Sequence, residues 1–336
     1  MISFFKLIRL PNLLIMAFTQ YMVRWCVVLP VLALKRSDLQ FSLLESKMSE
    51  LDFFLLVLST VMIGAAGYII NDYFDVRIDE VNRPKTNVVG KGIKRRVAMG
   101  AHMVINILGA GIGIWLSWKY GMFRVGSFIY ITAPALLWFY STNLKRQFLA
   151  GNLVIALLSG LVPMMVILFD LPNISREFPD LVQSGLLNLS DIVHVTFMVA
   201  VFAFSVSFLR EMIKDTEDYE GDLAYGCKTA PIVLGIARTK WIMAALAAFV
   251  IGLLGWLELK QFKGVLLPPE FSLALYLYFF ILLQLPLAFL VYRLLKAKTK
   301  QDWKFASLLV KIVMVAGISY LFLYAHGINS LIENAS

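Results

Sequence analysis

Asp72, Asp75 and Asp79 close the stretch AAGYIINDYFDVRID at residues 65–79. Asp215, Asp218 and Asp222 repeat the same separations of three and four residues in REMIKDTEDYEGDLAYGCKTAPI. The two windows hold nine of the 22 acidic residues, these six aspartates among them, each window at the mouth of an apolar segment, where an uncompensated carboxylate is expensive. On a helix, positions i, i+3 and i+7 share a stripe, so each triplet is expected to aim its carboxylates at a common point. Three like charges on one stripe repel and raise one another's pKa values, a conflict that a divalent cation removes. Carboxylate and water ligands favour Mg²⁺, or Mn²⁺, over softer metals, and Mg²⁺ characteristically bridges a carboxylate or two to substrate phosphates. Two such triplets suit the clamping of a diphosphate through metal ions. A lone Asp-rich helix end is ordinarily a solvated cap, and it is the duplication at matched spacing that favours chemistry.

The elements that position these residues are membrane helices. The 336-residue chain is 60% hydrophobic and only 16% charged, with a mean hydropathy of +0.76, where a soluble domain runs nearer half apolar and a quarter charged. Segments of about 20 apolar residues, enough to cross the hydrocarbon core, fall at about 11–34, 53–71, 97–118, 122–142, 150–169, 192–213, 240–259, 270–293 and 304–325. The expectation is an all-α polytopic bundle of nine transmembrane helices forming one domain over residues 1–336. The first segment follows only Lys6 and Arg9, is too long for a signal-peptide core and has no small-residue cleavage pattern after it, so it reads as a retained helix. Cys26 and Cys227, like His102, His194 and His326, are scattered, which argues against a disulfide framework or a zinc site.

The net charge of +9 reads as topology and lipid headgroup contact, not nucleic-acid binding. With the N-terminus and even-numbered loops on one side, that side holds 21 of the 31 Lys and Arg and the other holds 8, with Arg24 and Lys311 inside helices. The bias puts the N-terminus and both aspartate motifs in the cytoplasm, in a protein of the cell (inner) membrane. The motifs end helices 2 and 6, four apart, which suggests two four-helix halves plus a ninth helix.

A diphosphate at a membrane surface, attached to something suited to an apolar bundle, suggests a polyprenyl diphosphate. Its allylic C–O bond ionises when metal and cationic side chains stabilise the leaving diphosphate, and the carbocation needs a water-poor pocket. Aromatic side chains, plentiful in every helix, supply a quadrupole suited to that cation, although most serve packing or the interfacial belt.

NDYFDVRID, with Asn71 ahead of its triplet, and KDTEDYEGD followed by KTAPIVLG resemble the two aspartate motifs of the UbiA superfamily of intramembrane prenyltransferases. YSTNLK at 140–145 and GNLVIALLSG at 151–160 add weaker likeness. The resemblance implies a nine-helix bundle with a cavity open to cytoplasm and lipid, and Mg²⁺-dependent ionisation of a prenyl diphosphate with transfer to a lipophilic acceptor. It assigns Asn71, Asp72, Asp75 and Asp79 to one metal-diphosphate site and Asp215, Asp218 and Asp222 to another, with Lys145 on diphosphate oxygens. The Tyr140-to-Lys145 spacing is one residue longer than in many members with aromatic acceptors. Leu223 stands where relatives often carry arginine, leaving Lys214 or Lys228 as substitute cations. KDTEDYEGD and YSTNLK look most like the members that transfer geranylgeranyl to a phosphorylated glycerol lipid; the quinone-pathway members, acting on hydroxybenzoate or dihydroxynaphthoate, are the alternative.

Arg9 and Asn12, near the cytoplasmic end of the first helix, suit contact with an acceptor or phosphate, or equally an interfacial anchor. Arg83, Lys85 and Lys91 in DEVNRPKTNVVGKGIKRR suit a lid over the diphosphate, with Arg83 and Lys91 the stronger pair. Arg24, mid-segment, is expected to snorkel or pair internally. A transporter would place its acids near the bilayer midplane on interrupted helices, and a metal-dependent phospholipid-head transferase would concentrate them in one motif. Neither pattern is present here.

Overall fold

The structure is a computed structural model that describes residues 2–39, 44–82, 88–262 and 272–335. Helices dominate throughout, and among the described residues the sole β-type pairing is an isolated bridge between Val89 and Ile93. In chain order the helices are α1 (Ile2–Leu7), α2 (Leu10–Leu39), α3 (Glu50–Asn82), α4 (Arg95–Lys119) and α5 (Phe123–Thr142). They continue with α6 (Ala150–Glu177), α7 (Ser190–Glu217), the six-residue α8 (Tyr219–Ala224), α9 (Ile236–Phe262), α10 (Leu273–Lys296) and α11 (Lys300–Ala335).

Among the described residues eight of these helices are long and apolar enough to cross a membrane. The expected segment at 122–142 forms α5, whose 20 residues are long enough but include Arg124, Ser127, Thr132, Pro134, Ser141 and Thr142. It falls outside the eight. Large apolar side chains stand exposed along the helices, among them Ile107, Trp118, Phe128, Trp241 and Phe249. In water such a surface would aggregate; around an integral membrane protein it meets lipid.

The chain divides into two compact units. One comprises Met1–Phe18, Met48–Leu158 and Asp218–Ile236; the other comprises Thr19–Lys47, Ser159–Glu217 and Ala237–Ser336. These units are not the sequence halves that the repeated motif suggested.

In the first unit α3 is the organising element. Its 33 residues span about 50 Å at 1.5 Å per residue, well beyond the ~30 Å hydrocarbon core. The apolar run at 53–71 fills the core, and the last turns, with the first aspartate motif, extend past it. At the other end Ser49 caps the helix by accepting the Asp52 backbone N–H at 3.1 Å. The buried Asp52 carboxylate accepts from Lys119 Nζ at 2.7 Å and the Tyr120 hydroxyl at 2.6 Å, fastening α3 to the end of α4. Midway, Ser59 Oγ donates to the Gly109 carbonyl at 2.7 Å, and a Cβ on Gly109 would lie 2.9 Å from Met62 Cβ. The two backbones approach closely only because glycine stands there.

In the second unit Arg24, at the start of a π-helical turn in α2, donates to Asp170 Oδ2 at 3.2 Å. Their side chains are 2% and 0% exposed, and Ser46 Oγ donates to the other Asp170 oxygen at 2.7 Å. Arg24 pairs internally, as its depth in the segment required.

Candidate functional site

Asp72, Asp75 and Asp79 lie on one unbroken helix, as their spacing demands. Tyr68 and Asn82, four residues before and three after them, continue the same stripe of α3. Seven residues of helix rise about 10.5 Å, too far for Asp72 and Asp79 to meet at one ion. Among the described residues no three His, Cys, Asp or Glu side chains gather at a possible metal position.

The carboxylates instead take cations. Arg9 sits in the break between α1 and α2 with a left-handed φ of 51°, a conformation that costs a non-glycine residue on the order of 1 kcal/mol or more. The turn brings its Nη2 to 2.9 Å from Asp72 Oδ1 and its guanidinium carbon 4.9 Å from the Tyr68 ring centre. Asn12 Nδ2 donates to the Tyr68 hydroxyl at 3.1 Å, so the aromatic ring that seats Arg9 is itself fixed.

Lys145 occupies a 3₁₀ turn, Leu144–Arg146. Its ammonium donates to Asp75 Oδ1 and, at 3.4 Å, to Asn71 Oδ1. Leu149, with φ 55°, reverses the chain just after this turn. A Cβ on Gly151 would lie 2.7 Å from Lys145 Cα, so glycine permits the next helix to start against the lysine backbone. Asp72 and Asp75 thus each carry a partly buried cation, and the neighbouring Asn71 supplies a neutral oxygen.

The second motif is not one continuous stripe, contrary to the helical reading of its spacing. Asp215 lies in the last turn of α7, which ends at Glu217; Asp218 occupies the turn, and Asp222 rides on α8. Within the first unit two contacts hold this segment. Asn82 Oδ1 accepts the buried Gly221 N–H at 2.9 Å, and the Lys228 N–H donates to the Arg146 carbonyl at 2.7 Å. A Cβ on Gly221 would collide with the Asn82 side chain. Burial, reinforced by the charge of Asp222, pushes the Cys227 thiol up to about 11.

Of the other expected residues, Tyr140 is half-buried on α5, Lys91 is exposed in the turn before α4, and Lys228 is exposed. Lys214 Nζ lies 3.7 Å from Glu211 Oε1 on α7. Arg83 and Lys85 fall outside the described residues. Tyr68, Asn82, Gly221 and Gly151 were not anticipated. Helical periodicity alone signalled the first two, since they extend the aspartate stripe in both directions.

The donors are all hard oxygens, two of them on carboxylates paired with Arg9 and Lys145. That set fits Mg²⁺, which takes one or two carboxylates and completes its shell with phosphate and water. The class defined is a polytopic helical membrane protein with a cation-and-carboxylate site suited to a diphosphate.

The model of the UbiA prenyltransferase family matches residues 27–323, and the chain belongs to that family. It is 33% identical over 188 residues to the digeranylgeranylglyceryl phosphate synthase of Pyrococcus abyssi, covering 56% of this chain and 58% of that one. The chain thus spans about three-fifths of the length of such curated relatives. Among solved structures, one concerned with digeranylgeranylglyceryl phosphate synthase in membranes superposes with a TM-score of 0.58 at 20% identity, covering 97% of both chains. A UbiA homolog from Archaeoglobus fulgidus bound to DMAPP and Mg²⁺ gives 0.56 at 15% identity, covering 95% of this chain and 99% of that one. These two likenesses establish the shared fold.

Proposed function

We propose that this protein transfers a geranylgeranyl group from its diphosphate to geranylgeranylglyceryl phosphate, in a Mg²⁺-dependent reaction at the cytoplasmic face of the cell membrane. The observation that carries the reading is the pairing of Arg9 with Asp72 and Lys145 with Asp75 at the end of a membrane-crossing helix. Mg²⁺, held by the aspartates, would supply electrostatic stabilisation of the departing diphosphate. Asp72, Asp75 and Asp79, with Asp218 and Asp222 on the same unit and Asp215 as the sixth carboxylate, are the metal-holding residues of this reading. Arg9 and Lys145, held beside Asp72 and Asp75, are the cations that would meet the charge of the leaving diphosphate. Arg83 and Lys91 close over it, and Asn12, Tyr140, Lys214 and Lys228 contribute further polar contacts to the substrates.

The diphosphate departs with both electrons of the allylic C–O bond. A glycerol hydroxyl oxygen then bonds to the carbon and gives up its proton. Phe74 meets Trp138 edge-on, with ring centres 5.7 Å apart, beside the aspartate stripe, and such rings favour a nearby cation. The naming of the Pyrococcus abyssi relative supports this acceptor, and the DMAPP and Mg²⁺ bound by the Archaeoglobus fulgidus homolog support the donor chemistry.

The test is turnover by purified protein of labelled geranylgeranyl diphosphate with geranylgeranylglyceryl phosphate, hydroxybenzoate or dihydroxynaphthoate, with Mg²⁺ or EDTA. Transfer to the glycerol lipid in Mg²⁺ alone is expected. Transfer only to an aromatic acceptor would move the protein to a quinone pathway, and full activity in EDTA would defeat the metal chemistry. Labelling of cysteines placed at Lys91 and Ser184 from opposite sides of the membrane checks the orientation.

A further inference from the structure

α7 carries three charged side chains just before the second aspartate motif, Arg210, Glu211 and Lys214. Arg210 Nη1 lies 3.1 Å from Glu211 Oε1, and Lys214 Nζ approaches the same oxygen at 3.7 Å. Their side chains are 13%, 10% and 18% exposed, within a helix apolar enough to cross the membrane. Two cations thus converge on one carboxylate oxygen. Arg210 Nε, moreover, is buried and makes no hydrogen bond. Guanidinium presents five donors in a planar fork, and a buried donor without an acceptor is costly. Tetrahedral oxyanions satisfy such a fork by parallel charge-assisted bonds, to which an adjacent ammonium adds a point charge.

We infer that Arg210 and Lys214, oriented by Glu211, form a receptor for the phosphate of the acceptor lipid. The inference rests on the proposed acceptor. Lys214, four residues beyond Arg210 and one before Asp215, lies about one turn further along the same face of the helix. Two anionic lipids are then told apart by different chemistry. The diphosphate is selected by carboxylates that need a metal, and the monophosphate by cations that need none.

Steady-state kinetics with Arg210→Met, Arg210→Lys and wild type test this, using geranylgeranylglyceryl phosphate and the same lipid without its phosphate. Arg210→Met is expected to raise KM for the phosphorylated lipid at least about tenfold, the effect of losing a charge-assisted bond, with donor KM unchanged. KM for the phosphate-free lipid stays as in wild type, and Arg210→Lys recovers part of the loss. A parallel rise in donor KM, or no change toward the phosphorylated lipid, overturns the receptor and leaves the acceptor proposal standing. Binding of the phosphorylated lipid in EDTA without donor separates the remaining cases. Binding by wild type that Arg210→Met abolishes, without turnover, defeats the acceptor proposal but upholds the receptor; binding indifferent to the substitution overturns the receptor.

Discussion

Replacing Gly221 by alanine, or Asn82 by leucine, should disable prenyl transfer even though neither residue carries charge. Asn82 is 5% exposed and its Oδ1 holds the Gly221 N–H at 2.9 Å, three residues after Asp79 and one before Asp222. Leucine leaves the N–H buried and unpaired, at a cost of about 1–3 kcal/mol. Alanine at 221 drives a methyl into the Asn82 side chain, forcing the segments apart. If that free energy separates the aligned motifs from a misaligned state, kcat/KM falls between about 5-fold and 150-fold. The Mg²⁺ concentration for half-maximal rate should rise alongside, because the carboxylates no longer share a register. The assay is a Mg²⁺ titration of labelled-prenyl transfer by each variant. Asn82→Asp, which keeps an acceptor oxygen, should retain most of the activity. Unchanged Mg²⁺ dependence in Gly221→Ala, or equal loss in Asn82→Asp and Asn82→Leu, would refute the idea that this contact aligns the motifs.

Asp72→Asn and Asp75→Asn should each lower turnover by orders of magnitude with little loss of folded protein, checked by activity beside thermal unfolding, since each substitution removes both a metal ligand and the partner of Arg9 or Lys145. Arg24→Met should cost about 3–5 kcal/mol by stranding the Asp170 carboxylate in a dry interior, and Arg24→Met with Asp170→Leu should recover most of it; reversible unfolding in detergent measures both. Cys227 should resist maleimide at pH 8, where a thiol titrating near 11 is only ~0.1% thiolate, and its alkylation rate should climb with pH toward that value while unfolded protein reacts quickly.

The aspartate spacing was enough to place the first motif on a helix stripe because that helix has no competing signal: α3 runs unbroken from Glu50 to Asn82. Identical spacing misled at Asp215–Asp222, where the chain turns at Asp218; the glycine at 221 that lets α8 approach Asn82 has no distinctive local pattern. Lys145 was identifiable as a cation in the right motif, but its reach to Asp75 depends on the left-handed Leu149 and on Gly151, and tertiary crowding of that kind leaves no periodicity. Arg9 was read as an anchor or ligand contact with equal weight. Its left-handed backbone and its seat on Tyr68 are conformational facts that no local pattern signals. An Arg–Glu pair near a helix end ordinarily belongs to the solvated rim, and only its burial marks Arg210 otherwise.

The single helix that carries Asp72 also carries the whole apolar run beneath it and is pinned at its far end by Asp52, Lys119 and Tyr120. It therefore works as a plumb line. The height of the carboxylates above the hydrocarbon is set by a fixed number of residues and cannot be adjusted by a flexible loop. In reconstituted bilayers of graded acyl length, activity should peak where the hydrocarbon matches the run at 53–71, about 28 Å. Thicker membranes would draw the aspartates toward lipid, and thinner ones would tilt the helix and carry Asp72 sideways. With the proposed activity, a protein built this way would couple the production of membrane lipid to the thickness of the membrane that receives it.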